Sequence, residues 1–219
     1  LQELILRDVL ACGYNEIGVK NSIGLKYFTL IGFDSWNLSL QSFLNQYPDS
    51  AQIEFASGKS SKTFVCPTLM QGKDFAAWLA ENLPKWHKRR GSSDIICWDY
   101  ESPVYTSYLS CLCPRCLGRF ATKYGLPADL TSAEIKAKYS KQWIDFMTSQ
   151  MADVAAILYK GIKDYNPELE FYIYSGYESE QTKFVYGVDW KKLPAHMDFG
   201  GAGYGRPITD IKATVRMHE

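Results

Sequence analysis

The chain has 219 residues, 46% of them hydrophobic, and no apolar run long enough to span a bilayer, so it reads as a soluble globular chain able to bury a core. Its 24 basic and 24 acidic residues cancel and are interspersed, the longest basic stretch being Lys88-Arg89-Arg90, which speaks against a nucleic acid or an anionic membrane as partner. Six cysteines are too few for a disulfide scaffold at this length. The first residues already lie in a helical pattern with no initiator Met, so any targeting signal is lost from view and the compartment stays open. Oligomeric state is not legible either.

Residues 1–10 carry a helical stripe of apolar side chains, and a short strand is expected at 16–19. The run 26–33 (KYFTLIGF) is β-prone almost without interruption, as in a parallel strand buried on both sides. It stops at Asp34-Ser35-Trp36, whose side chains would line the strand's C-terminal mouth. The polar stretch 37–66 looks like a long loop excursion, with strand pieces at 52–55 and 63–65. A helix follows from Gly72, with Phe75, Leu79 and Leu83 on one face and Pro84 as a kink. The next strand, 93–99, leads into Tyr100 and Glu101. Pro114 opens a short helix to Tyr124, ended by Gly125, and a long helix is predicted from Ser132 to about Tyr165, stopped by Asn166-Pro167. Strands at 169–174 and 197–201 flank a helical turn at 190–195, and Pro207 starts another helix.

Strands alternating with helices predict βαβ units and a parallel α/β sheet. No G-x-G-x-x-G follows any strand, which favours a (β/α)₈ TIM barrel over a dinucleotide-binding fold. A barrel needs eight strands and five are counted here, so either the barrel is incomplete in this chain or the sheet is open. On the barrel alternative, residues 1–219 are the central portion of one catalytic domain.

Asp99 and Glu101 end the strand two residues apart, a spacing that directs both side chains to one face. At the C-terminal rim of a barrel that is where chemistry is done. Cleaving a glycosidic bond takes a protonated carboxyl and a second carboxylate to stabilise an oxocarbenium-like transition state. Glu101 reaches further and suits the donor; Asp99 suits a neighbour that orients it or tunes its proton affinity. The plainer alternative is that Asp99 and Glu101 are solvated loop acids or pair with Arg115 or Arg119.

Cys111, Cys113 and Cys116 form a C-x-C-x-x-C, and Cys66, before Pro67, supplies a fourth thiol. Four such ligands suit Zn²⁺ in a tetrahedron, and a closed shell of this kind has a structural role because it leaves no open position. Disulfides and free buried thiols are the competing assignments. Cys12 and Cys97 read as core.

Asp99-Tyr100-Glu101 followed by CLCPRCLGRFATKYG resembles the zinc-containing β-galactosidases of glycoside hydrolase family 42, whose strand-four D-N-E precedes a C-x-C-x-x-C and a Leu-x-x-Phe helix ending in Tyr-Gly. Leu117, Phe120, Tyr124, Gly125 and the Cys66-Pro67 pair occupy the matching places, from Cys66 to Gly125. The resemblance implies that Glu101 is the acid/base and that Cys66, Cys111, Cys113 and Cys116 bind zinc. It also implies that the predicted strands are barrel strands two to six, leaving the strand-seven nucleophile outside the chain. Tyr100 replaces the family's Asn, which helps hold the substrate 2-hydroxyl, pointing to a divergent hydrolase or one without activity. A weaker resemblance links Asp94, Asp99 and Glu101 to the D-x-x-D-x-D-x-E strand of family 18 chitinases, with Cys97 in place of one acid and Ile95 in place of a glycine; there too the last Glu is the donor.

Trp36, Tyr174, Tyr177 and Tyr204 each follow a predicted strand and could stack on sugar rings; Asp34, Glu178, Asp198 and Arg206 could bind hydroxyls. Such residues also cap helices. Asp198 stands out because it adjoins the glycine-rich stretch 200–205. These features together predict a retaining O-glycosidase acting on an oligo- or polysaccharide. A non-catalytic carbohydrate-binding barrel, a chitinase-like substrate-assisted hydrolase and a metal-dependent hydrolase are the alternatives.

Overall fold

The structure is a computed structural model that describes residues 16–17, 26–33, 38–176 and 180–202. In chain order its elements are β1 (Glu16–Ile17), β2 (Lys26–Ile31), α1 (Gln41–Gln46), β3 (Ala51–Ile53), β4 (Ser60–Val65), α2 (Pro67–Met70), α3 (Lys73–Arg89), β5 (Ile95–Asp99), α4 (Pro114–Tyr124), α5 (Ser132–Lys138), α6 (Ser140–Tyr165), β6 (Glu170–Ser175), α7 (Gln181–Tyr186) and β7 (Phe199–Ala202).

The β-prone runs pair as one five-stranded sheet in the order β1-β2-β5-β6-β7, every neighbouring pair parallel. Parallel neighbours need crossovers, and α3 and α6 provide the long ones. Spatial order follows chain order once the antiparallel β3–β4 hairpin is set aside, so the sheet has no point at which strand order reverses.

Register separates the two faces of the sheet. Ile31 pairs with Trp98 and Trp98 with Ile173, so these side chains share a face, and all are buried. Over them lie the apolar stripes of α3 (Phe75, Leu79, Leu83) and α6 (Met147, Met151, Leu158, Ile162) in one continuous core. The opposite face carries Leu30, Cys97, Tyr172 and Phe199, also register partners. Leu30 on that face is 41% exposed.

Several expectations sharpen. Helix α4 has the predicted bounds, because Pro114 sits in its first turn and Gly125 closes it in a left-handed conformation (φ 64°) that only glycine adopts without strain. The predicted helix 132–165 is instead two helices, broken at Tyr139 (φ −127°), and its start is capped by Thr131 and Glu134 in a reciprocal capping box. Pro84 lies inside α3 without ending it. The excursion 37–66 contains the hairpin, with strands at Ala51–Ile53 and Ser60–Val65, and also α1, which its polar composition conceals. Helix α7 was not foreseen. The helices expected at 1–10 and from Pro207 fall outside the described residues, as do 18–19 of the first strand. Among the described residues, no helix is long and apolar enough to cross a membrane.

Candidate functional site

Strand β5 is fully buried from Ile95 to Trp98 and emerges at Asp99. Pairing with β6 continues one residue further: Tyr100 N–H donates to Tyr174 O (2.9 Å), and Ser175 Oγ donates to Tyr100 O (2.9 Å). Alternation then sends Tyr100 into the helix-side core, where it is fully buried and its hydroxyl meets Ser107 Oγ at 2.5 Å. Asp99 stands on the other face beside its register partner Tyr174. Its side chain reaches solvent, yet packing around the carboxyl raises its pKa, and the charge of Glu101 adds to the rise. The two acids therefore interact. Glu101 is half-buried, with Oε1 shielded from solvent. Beneath them, burial and the neighbouring Asp99 push the Cys97 thiol up.

An aromatic surface continues from the acids toward β7. Tyr172 stacks on Phe199 (centroids 4.9 Å apart, 15° between planes) and meets Tyr174 edge-on. Gly201 makes room for it: a Cβ there would lie 1.8 Å from the Tyr172 hydroxyl oxygen.

Asp198 belongs elsewhere. It precedes β7, at the sheet end opposite the acids, where Oδ2 accepts from Phe171 N–H (2.7 Å) and pairs with Lys163 Nζ (2.9 Å). Its carboxylate fastens the bottom of the sheet to α6 and is remote from the mouth in which the sequence placed it. Arg119 pairs with Asp153 (3.0 Å) and also donates to Gln150 and Thr68, while Arg115 reaches Asp49 O. Asp34, Trp36, Tyr177, Glu178, Tyr204 and Arg206 lie outside the described residues.

The four cysteines do converge. Cys66 comes from the end of β4, Cys111 from the loop after β5, and Cys113 and Cys116 from the start of α4. All four are buried, and their sulfurs lie within 4.8 Å of one another. Cys66 Sγ is 3.4 Å from Cys113 Sγ and 3.5 Å from Cys116 Sγ. These separations are too long for disulfide bonds and close to the about 3.8 Å edge of a tetrahedron with metal–sulfur bonds of about 2.3 Å. Donors face the sulfurs: Ile53 N–H and Cys113 N–H reach Cys111 Sγ (each 3.4 Å), Thr68 Oγ1 lies 3.2 Å from Cys116 Sγ, and Gln150 Nε2 is 3.9 Å from it. Hydrogen bonds among the four sulfurs hold the Cys113 thiol below the ordinary range and push the Cys111 and Cys116 thiols above it, so the group shares its protons. This group could hold a metal ion.

The sequence reading overlooked the polar residues that join the two regions. Gln52, 1% exposed on β3, donates to Ser107 O (3.1 Å) and Ser110 O (2.8 Å) in the loop that follows Glu101. The available signal was a strand piece whose inward position carries an amide rather than an apolar side chain.

No protein-family model matches the chain, and no curated protein matches it. Solved structures do: the crystal structure of β-galactosidase from Bacillus circulans sp. alkalophilus is 16% identical, with a TM-score of 0.45 over 81% of this chain. The chain spans 30% of that protein's chain. A likeness of this degree assigns neither family nor activity.

Proposed function

We propose that the chain is the central portion of a (β/α)₈-barrel glycoside hydrolase, with Glu101 as general acid/base. The observation that carries this reading is the pair of interacting carboxyls, Asp99 and Glu101, at the C-terminal end of the middle strand beside Tyr174. Five parallel strands in unreversed order suit consecutive strands of a barrel better than a doubly wound sheet.

In this mechanism Glu101 gives its proton to the glycosidic oxygen as the bond to the anomeric carbon breaks, and a second carboxylate, from residues beyond this chain, attacks that carbon. Glu101 then takes a proton from water as the glycosyl ester is hydrolysed, with retention overall. Asp99 is the electrostatic partner, and Tyr174 and Tyr172 offer rings to the apolar face of a sugar.

The four cysteines would hold Zn²⁺ in a closed shell. The metal would supply a cross-link between β4, the loop after β5 and α4, and no chemistry on substrate.

A specific observation favours the second reading, a carbohydrate-binding barrel without activity. Tyr100, in place of the Asn that helps hold the 2-hydroxyl in family 42, is buried in the core and contributes nothing to the mouth. Assay of the full-length protein against a panel of aryl glycosides separates the two: turnover supports the hydrolase, and calorimetric sugar binding without turnover supports the binding barrel.

A further inference from the structure

We propose that Gln52 is a positioning residue that couples metal occupancy of the four-cysteine centre to the conformation of the loop 101–110, which begins at Glu101. The coupling rests on the metal reading above but not on the chemistry assigned to Glu101.

The path is short; its linking side chains are buried, and the backbone it uses at Ile53 and Leu112 belongs to half-buried residues. Ile53 N–H donates to Cys111 Sγ, and Ile53 O accepts from Leu112 N–H (2.8 Å), so β3 grips the metal-side end of the loop through its backbone. One residue earlier on that strand, Gln52 spends both amide hydrogens on loop carbonyls, those of Ser107 and Ser110. Ser107 Oγ accepts from Leu109 N–H (3.0 Å) and meets the Tyr100 hydroxyl. Tyr100 adjoins Glu101 through one peptide bond, and its own backbone is held by Tyr174 and Ser175. Gln52, Tyr100, Ser107, Ser110 and Cys111 are each 2% exposed or less.

Burial gives the path its consequence. A hydrogen bond lost here is not replaced by water, so the groups move together or leave acceptors unsatisfied. When Cys111 is fixed by a metal, the register of β3 against the loop is fixed, and Gln52 carries that register to Ser107 and Tyr100. Without metal, Cys111 is free to shift and the whole loop loosens. Trp98 Nε1 donates to Tyr108 OH (2.9 Å) from the strand beneath, so the indole reports on the same loop.

The test uses Co²⁺ as probe, with amide hydrogen exchange read by mass spectrometry on the native chain, Gln52→Ala and Ser107→Ala. In the native chain, Co²⁺ gives thiolate-to-metal charge-transfer absorption and slows exchange over 101–110 on the order of tenfold. In Gln52→Ala the absorption persists and 111–116 still respond, but 101–110 do not. In Ser107→Ala, which keeps the backbone acceptors of Gln52, 103–110 still respond while Tyr100 and Glu101 no longer do. Failure of 101–110 to respond in the native chain overturns the coupling, even where Gln52→Ala does not fold. An equal response in native chain and Gln52→Ala overturns it too. Absence of the cobalt absorption overturns the metal reading and the coupling with it.

Discussion

Asp99 and Tyr174 are register partners across β5 and β6, so an acid and an aromatic ring stand side by side at the C-terminal ends of adjacent strands, on the face opposite the one packed against α3 and α6. The setting of Asp99 has a thermodynamic cost. Its pKa is raised in the folded chain, so between the unfolded value near 3.8 and the higher folded value the native state binds more protons than the unfolded one. Stability therefore falls as pH rises through that window. Asp99→Asn removes the titration: its melting temperature exceeds that of the native chain at pH 7, and the two converge at about pH 3, below both pKa values. Thermal melts at the two pH values check this; an Asn variant less stable at pH 7 would show that Asp99 is held by favourable contacts instead.

The four-cysteine cluster predicts one metal ion per chain, measured by elemental analysis of protein purified without chelator. Cys113→Ser should lose it. If the shell contributes even about 3 kcal/mol, chelation lowers the melting temperature by about 6–12 °C for a chain of this size. Mass-spectrometric detection of a disulfide among Cys66, Cys111, Cys113 and Cys116 in metal-free protein would contradict this.

Asp198 should behave as a structural residue. Asp198→Ala strips Phe171 N–H of its side-chain acceptor and Lys163 of its carboxylate partner, although Lys163 keeps the Leu169 carbonyl; the loss costs about 2 kcal/mol for hydrogen bonds to a charged group. Chemical denaturation would register the loss, while sugar binding by the folded variant stays unchanged.

Gly201 sets the position of the Tyr172 ring. Gly201→Ala places a methyl group where the phenol now lies, so the ring must leave its stack on Phe199, at about 1–3 kcal/mol. The near-ultraviolet circular dichroism of the stacked pair should diminish with the loss of stability.

What was legible follows from how locally each feature is encoded. The strands announce themselves as apolar β-branched and aromatic runs, and α4 by a proline at its start and a glycine at its end. The cysteines could be grouped by spacing because three of the four lie on one turn and the next. The break at Tyr139, a residue packed against the core, left no such mark, because no proline or glycine stands there. The position of Asp198 was not legible because a strand's sequence does not say which of its ends a flanking acid will occupy in the sheet. The partners of Gln52 were hidden for a related reason, since they are backbone carbonyls 55 and 58 residues away, and only its inward place on a strand piece marked it.

The central claim, that Glu101 is an acid/base catalyst, is tested most directly by Glu101→Gln in the full-length protein. Hydrolysis of glycosides with poor leaving groups should fall by about 10²–10⁴-fold, and that of a dinitrophenyl glycoside, whose leaving group needs no proton, far less. Equal rates for Glu101→Gln and the native protein on the poor-leaving-group substrate would contradict the assignment.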